Sequence, residues 1–155
     1  MSDFADGIRK SVQAARESAK QHQDRQRRRE EEESARQEQN RQRARELRAL
    51  MWDRIREAEE AGDGAIKAHR KGGVALTTFQ LWWQEGPPER ALQIAVDETE
   101  GVIRASWIVA PGYGQSVDAP SVEASGFGLA KLESAIELLV DQRRWTRGAI
   151  PMIPW

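Results

Sequence analysis

The chain contains no cysteine, only two histidines, His22 and His69, and no uninterrupted apolar run approaching the length of a membrane span. Without cysteine there are no disulfides, thiolate nucleophiles or Cys-based zinc sites, and a reducing compartment suits such a sequence. A bilayer-spanning helix needs about 20 mostly apolar residues. Met1–Lys20 also lacks the apolar centre of a secretory signal. The expected setting is the cytoplasm, with no membrane contact. No P-loop, H-E-x-x-H, EF-hand or G-x-S-x-G pattern occurs, so no catalytic, cofactor-binding or metal-ligating residues are assigned. Gly112-Tyr113-Gly114 lacks the rest of a dinucleotide fingerprint and is read as a loop.

What is abundant is charge. Of 155 residues, 24 are Lys or Arg and 25 are Asp or Glu. Residues 1–71 hold 18 basic and 15 acidic side chains, and residues 72–155 hold 6 and 10, giving +3 and −4. Neither part has the strongly basic balance of a general nucleic-acid binder. Between Gln21 and Glu46 the only apolar side chains are Ala35 and Ala44, while eight Arg face seven Asp and Glu. Such a run cannot build a core. Its strong helix formers and Arg–Glu pairs four residues apart, each contributing about 0.2–0.5 kcal/mol, predict a solvated helix, with a disordered run as the alternative.

Amphipathic helices flank that run. Phe4, Ile8, Val12, Ala15 and Ala19 fall on one side of a helix, and so do Ala44, Leu47, Met51, Ile55 and Ala58, with Leu50 and Trp52 beside them. Gly62-Asp63-Gly64 ends the helical pattern. Residues 1–71 are therefore expected to form a highly charged helical arm with coiled-coil-like stretches.

Beyond Gly72-Gly73 the period changes from helical to alternating. Val74–Gln84 reads as a strand with Ala75, Thr77 and Phe79 on one face and Leu76, Thr78 and Trp82 on the other. Gly86-Pro87-Pro88 interrupts it, Leu92, Ile94 and Val96 mark a second strand, and Asp97–Gly101 a hairpin loop. Ile103, Ala105, Trp107 and Val109 mark a third, with Arg104 and Ser106 opposite. A loop follows, with a short extended piece near Val117–Val122, and then a helix from about Phe127 with Leu129, Leu132, Ala135, Ile136, Leu139 and Val140 on its apolar side. The expected fold class is α+β. A long helical arm precedes a small domain at 72–155, in which a three-stranded antiparallel sheet packs against one C-terminal helix and an apolar tail, Ala149–Trp155. Helix, three strands, helix is also the order of double-stranded RNA-binding domains. Those place a basic cluster at the start of the last helix, where this chain has Lys131 beside Glu133 and Glu137.

One helix covers one sheet face, so the second face needs cover from the Leu47–Ala58 helix, the tail or another protomer. The expected function is a non-catalytic interaction protein that self-associates or docks onto a larger assembly. Its partner-binding residues are Leu47, Met51, Ile55, Trp82 and Trp155, with Phe4, Ile8 and Val12 as further contacts. The alternative is association with nucleic acid through Arg25, Arg27, Arg28, Arg29, Arg70 and Lys71, although an ion-pair ladder and a helix C-terminus account for these residues more simply. A small enzyme is the least favoured reading.

Overall fold

The computed structural model describes residues 2–81, 88–109, 115–145 and 149–155. Helix α1 runs from Asp3 to Ala61. Six antiparallel strands follow: β1 (Ile66–Lys71), β2 (Val74–Phe79), β3 (Arg90–Asp97), β4 (Val102–Val109), β5 (Gln115–Asp118) and β6 (Val122–Glu123). They form one sheet in the order β1-β2-β3-β4-β5, with β6 pairing to β4 beside β5. Helices α2 (Leu129–Val140) and α3 (Gln142–Trp145) complete the chain. The α+β class, the long first helix and the C-terminal helix are as expected. The sheet has six strands rather than three, so the strand order of an RNA-binding domain no longer applies.

Two compact units divide the chain at 37/38. The first, Met1–Gln37, is helical over its described residues from Asp3 onward. The second, Glu38–Trp155, includes the last part of α1, all the strands and the C-terminal helices. The compact domain thus takes in Glu38–Lys71, which the composition had grouped with the arm.

The three strands missed at the start and end of the sheet, β1, β5 and β6, have simple physical reasons. In β1 only Ile66 and Ala68 are apolar at alternating positions, so its period-two signal is submerged by Lys67, His69, Arg70 and Lys71. Gly72 takes φ 61° in the turn that joins β1 to β2, a conformation that favours glycine. The His69–Gly73 segment is therefore a strand end and hairpin turn, not a helix terminus. Val117 and Val122 do lie in extended segments, β5 and β6, but these are too short to read as separate strands from the sequence.

Cross-strand register sorts the side chains onto two faces. Ala68, Thr77, Leu92, Trp107 and Val117 form one transverse row, and Arg70, Ala75, Ile94 and Ala105 the next. This face is covered. Ala44, Leu47, Met51 and Ile55 of α1 join Leu92, Ile94, Ile103 and Trp107 in one core with Leu132, Ala135, Ile136 and Leu139 of α2. The tail reaches the same face, where the Trp107 indole N–H donates to the Pro151 carbonyl at 2.8 Å.

Polar contacts fix α1 over the sheet's lower end. The Asn40 side chain accepts from the Ser125 amide at 3.0 Å, Arg41 donates to the Thr99 carbonyl at 2.7 Å, and Arg48 pairs with Glu98 at 3.1 Å. Gly101, with φ 69°, turns the β3–β4 hairpin so tightly beneath Asn40 that an added Cβ would stand 2.6 Å from the Asn40 Cβ. At the outer edge of β1 the Ala68 amide donates to the Glu59 carboxylate. An edge amide that would otherwise invite another strand is thereby occupied.

Leu47→Ala removes a wholly buried side chain and is expected to destabilise the protein by about 2–5 kcal/mol. Val12→Ala, at a position 44% exposed, is expected to stay within about 0.5 kcal/mol. Chemical denaturation of both variants checks this contrast.

Candidate functional site

The residues expected to contact a partner fall into four groups. Leu47, Met51 and Ile55 are each no more than 2% exposed and belong to the domain's own core. Trp155 lies half-buried at the end of the tail, its ring edge-on to Phe127 at 4.9 Å between centroids. Trp82 lies outside the described residues, as do Gly112, Tyr113 and Gly114. Phe4, Ile8 and Val12 are 78%, 51% and 44% exposed in the first unit. Sequence periodicity made the two stripes of α1 look alike. What separates them is that only the second belongs to the compact unit containing the sheet.

The basic candidates divide in the same way. Arg25, Arg27, Arg28 and Arg29 are all exposed. Arg27 lies 3.6 Å from Asp24 and 3.8 Å from Glu31, so part of this cluster is engaged along its own helix. Exposed pairs of this kind contribute at most about 1 kcal/mol. Arg70 and Lys71 sit on opposite faces of β1. Arg70 lies over the Trp52 ring at 5.3 Å on the covered side, and Lys71 points to the other.

That other face carries none of the described helices. Its rows run Lys71, Val74, Ala95, Arg104; then His69, Leu76, Gln93, Ser106, Asp118; then Lys67, Thr78, Ala91, Ile108, Ser116. Lys67, His69 and Lys71 are exposed along β1, and Val74 is 37% exposed. Toward the opposite edge a groove of about 380 Å3 is lined by Gln93, Ala95, Arg104, Ser106, Asp118 and Ser121. Within it the Ser106 hydroxyl donates to the Asp118 carboxylate at 2.7 Å. His69 shares their transverse row but stands three strands from Ser106, about 14 Å at the usual strand spacing. The geometry therefore does not assemble a Ser-His-Asp triad from these three residues.

Charge at the groove's lower rim is largely paired. Arg104 binds Asp97 at 3.1 Å and Glu100 at 2.6 Å. Asp97 also accepts from the backbone amides of Glu100 and Thr99 at 2.9 and 3.0 Å. The Glu100 amide, followed by the Arg104 guanidinium, holds the Asp97 carboxyl below its usual range, and the two carboxylates raise Arg104. Among the described residues no group of His, Asp and Glu is arranged to hold a metal ion.

Among the described residues one charged side chain is buried outright, and sequence reasoning missed it. Arg90 lies between the rings of Phe79 and Trp145, at 4.6 and 4.7 Å from their centroids. Its Nε donates to the Leu139 carbonyl at 2.7 Å, and one Nη donates to Gln142 at 3.0 Å. Burial lowers its pKa, with Glu89 and Asp141 opposing. Arg90 so clasps the C-terminal end of α2, where exposed carbonyls attract cations. The aromatic residues on both sides of it, distant in sequence, gave no local signal.

Comparison with known proteins gives no match: no family model, no curated protein and no solved structure resembles the chain. No helix among the described residues is long and apolar enough to cross a membrane.

The Asp97 turn makes a pH prediction. A carboxyl whose folded pKa is depressed stabilises the fold above its unfolded pKa, and that stabilisation disappears as pH falls through the folded value. Wild type should therefore exceed Asp97→Asn in stability at neutral pH. The difference should shrink steadily below about pH 4, as urea unfolding across a pH series measures.

Proposed function

We propose that this chain is a non-catalytic interaction protein that self-associates or docks onto a larger macromolecular assembly. The observation that carries the reading is the solvent-facing stripe of Phe4, Ile8 and Val12. A single helix has no apolar interior of its own, and burying side chains of this size on a partner contributes about 1.5–3 kcal/mol each for full burial. Ala15 and Ala19 continue the stripe with small side chains, which permits close approach of another helix. Leu47, Met51 and Ile55 have no part in this reading, because the domain core holds them.

A second reading, association with nucleic acid, draws support from the exposure of Arg25, Arg27, Arg28 and Arg29 and from Lys71 on β1. Glu30–Glu33 and Asp24 interleave with the first cluster, and acidic neighbours weaken phosphate attraction. Phosphate contacts give a steep loss of affinity with salt. No binding to DNA or RNA even at low salt disposes of this reading.

The test of the first reading replaces Phe4, Ile8 and Val12 together with glutamate in the full chain. Wild type is expected to sediment above its monomer mass, alone or with a partner retained from its native cell, and the triple variant to lose that association with its helical content unchanged. A wild-type protein recovered only as a monomer without any bound partner contradicts the proposal.

A further inference from the structure

The two edges of the sheet are finished differently. At β1 the Ala68 amide is taken by Glu59, and the exposed side chains Lys67, His69 and Lys71 discourage a further strand. At the opposite edge all four residues of β5 are exposed. Which of its backbone groups face outward follows from the ladder. The Ala119 amide donates to the Ala105 carbonyl at 2.9 Å, so these two residues form a hydrogen-bonded pair in the register that sets Trp107 opposite Val117. Such pairs recur at every second residue of an antiparallel ladder. Gln115 and Val117 therefore turn their amides and carbonyls toward β4, and Ser116 and Asp118 turn theirs away from the sheet. Among the described residues no group bonds to these outward amides and carbonyls. Pro120, next in the outward series, has no amide and closes the run. Apolar surface lies beside this edge, where Val117, Ile150 and Met152 are exposed around a hollow of about 110 Å3 that Trp107 and Pro151 also line.

We infer that β5 pairs antiparallel with β5 of a second copy, making one continuous sheet across a two-fold axis that passes between the two Val117 residues. Three registers let the outward groups meet. One sets Asp118 against Asp118 and Ser116 against Pro120, which opposes like charges and loses an amide. Another, centred on Ser116, sets Val117 against Gln115 and carries Asp118 past the end of the other β5. The third sets Ser116 against Asp118 in both directions. It closes backbone hydrogen bonds at each of those pairs, places a hydroxyl beside each carboxylate and brings Val117 onto Val117. Polarity thus selects a second copy, because β5 carries donor, apolar side chain and acceptor in the order that its own reverse requires. A two-fold axis across a sheet edge keeps each face on its own side. The Val117 pair then lies with Ile150 and Met152 of both copies, and Asp118 keeps its bond from Ser106 on the other face. So short a contact falls below the roughly 1,200 Å2 of a stable complex, and the dimer is a weak, concentration-dependent one. The inference rests on the self-association in the reading above but uses a different surface.

Two measurements on the full chain test it. The chain has no cysteine, so introduced thiols report contact without background. Opposed residues that do not exchange hydrogen bonds stand about 4.5 Å apart at Cα, within the range a disulfide spans. Val117→Cys is expected to form a disulfide-linked dimer on mild oxidation faster and more completely than Val74→Cys, which alters an exposed valine on β2. The second measurement is light scattering of Ser116→Pro over a concentration series. Proline is tolerated where an edge amide faces away from the sheet, so the bonds to β4 remain. This variant is expected to dimerise at least about tenfold more weakly than wild type. Circular dichroism and thermal unfolding confirm that it is folded.

Both results should persist when Phe4, Ile8 and Val12 are replaced by glutamate, which separates this contact from the helical stripe. Val117→Cys that cross-links no faster than Val74→Cys overturns the inference, as does a folded Ser116→Pro that dimerises like wild type. A wild-type chain that is monomeric at every concentration also overturns it, even where a partner protein is retained, and leaves the edge to a strand of that partner. If the glutamate substitutions abolish the Val117→Cys cross-link, the stripe is the contact and β5 is not.

Discussion

Packing of the Ala44, Leu47, Met51 and Ile55 stripe against one face of the sheet is the contact on which the second unit depends. It places the end of α1 beside α2 over Ile94, Ile103 and Trp107, and the tail closes the same side at Pro151. Full burial of Leu47, Met51 and Ile55 contributes about 1.5–3 kcal/mol each, a large share of a small domain's margin. Arg41 and Arg48 add polar contacts at the β3–β4 turn, and Asn40 adds one to the Ser125 amide. Every described element able to cover the sheet is committed to this side.

Much of this was legible in the sequence. Alternation in Leu92–Val96 and Ile103–Val109 gave two central strands with the correct faces, and Asp97–Gly101 gave their turn, with the glycine at positive φ. The 3.6-residue period gave α2 and both stripes of α1. What periodicity does not carry is destination. Phe4, Ile8 and Val12 repeat like Leu47, Met51 and Ile55, yet one set is exposed and the other buried, because burial depends on which residues the turns at Gly62 and Gly72 fold back against α1. Strand β1 escaped because an edge strand needs few apolar residues and carries charge by preference. Arg90 escaped because its partners Phe79, Leu139 and Trp145 are assembled only by the tertiary fold.

The functional consequence is a division of surfaces. Apolar side chains of the first unit face solvent along a helix, and the second unit presents a sheet face with a basic edge, projecting aliphatic residues and a polar groove. The interaction reading draws on the first. Other polar groups, by contrast, belong to the fold: buried Arg90 ties β3 to the end of α2, and half-buried Glu59 occupies the edge amide of Ala68.

Native-state hydrogen exchange of the full chain tests most directly the claim that the end of α1 is integral to the domain. Amides from Ala44 to Ile55 should exchange only with global unfolding, at the same free energy as those of Leu92–Ile94 and Ile103–Trp107. Amides from Phe4 to Gln37, in a helix without apolar cover in its own unit, should exchange far faster. Exchange of the Ala44–Ile55 amides at the rates of the first unit, with the strands still protected, would contradict the account.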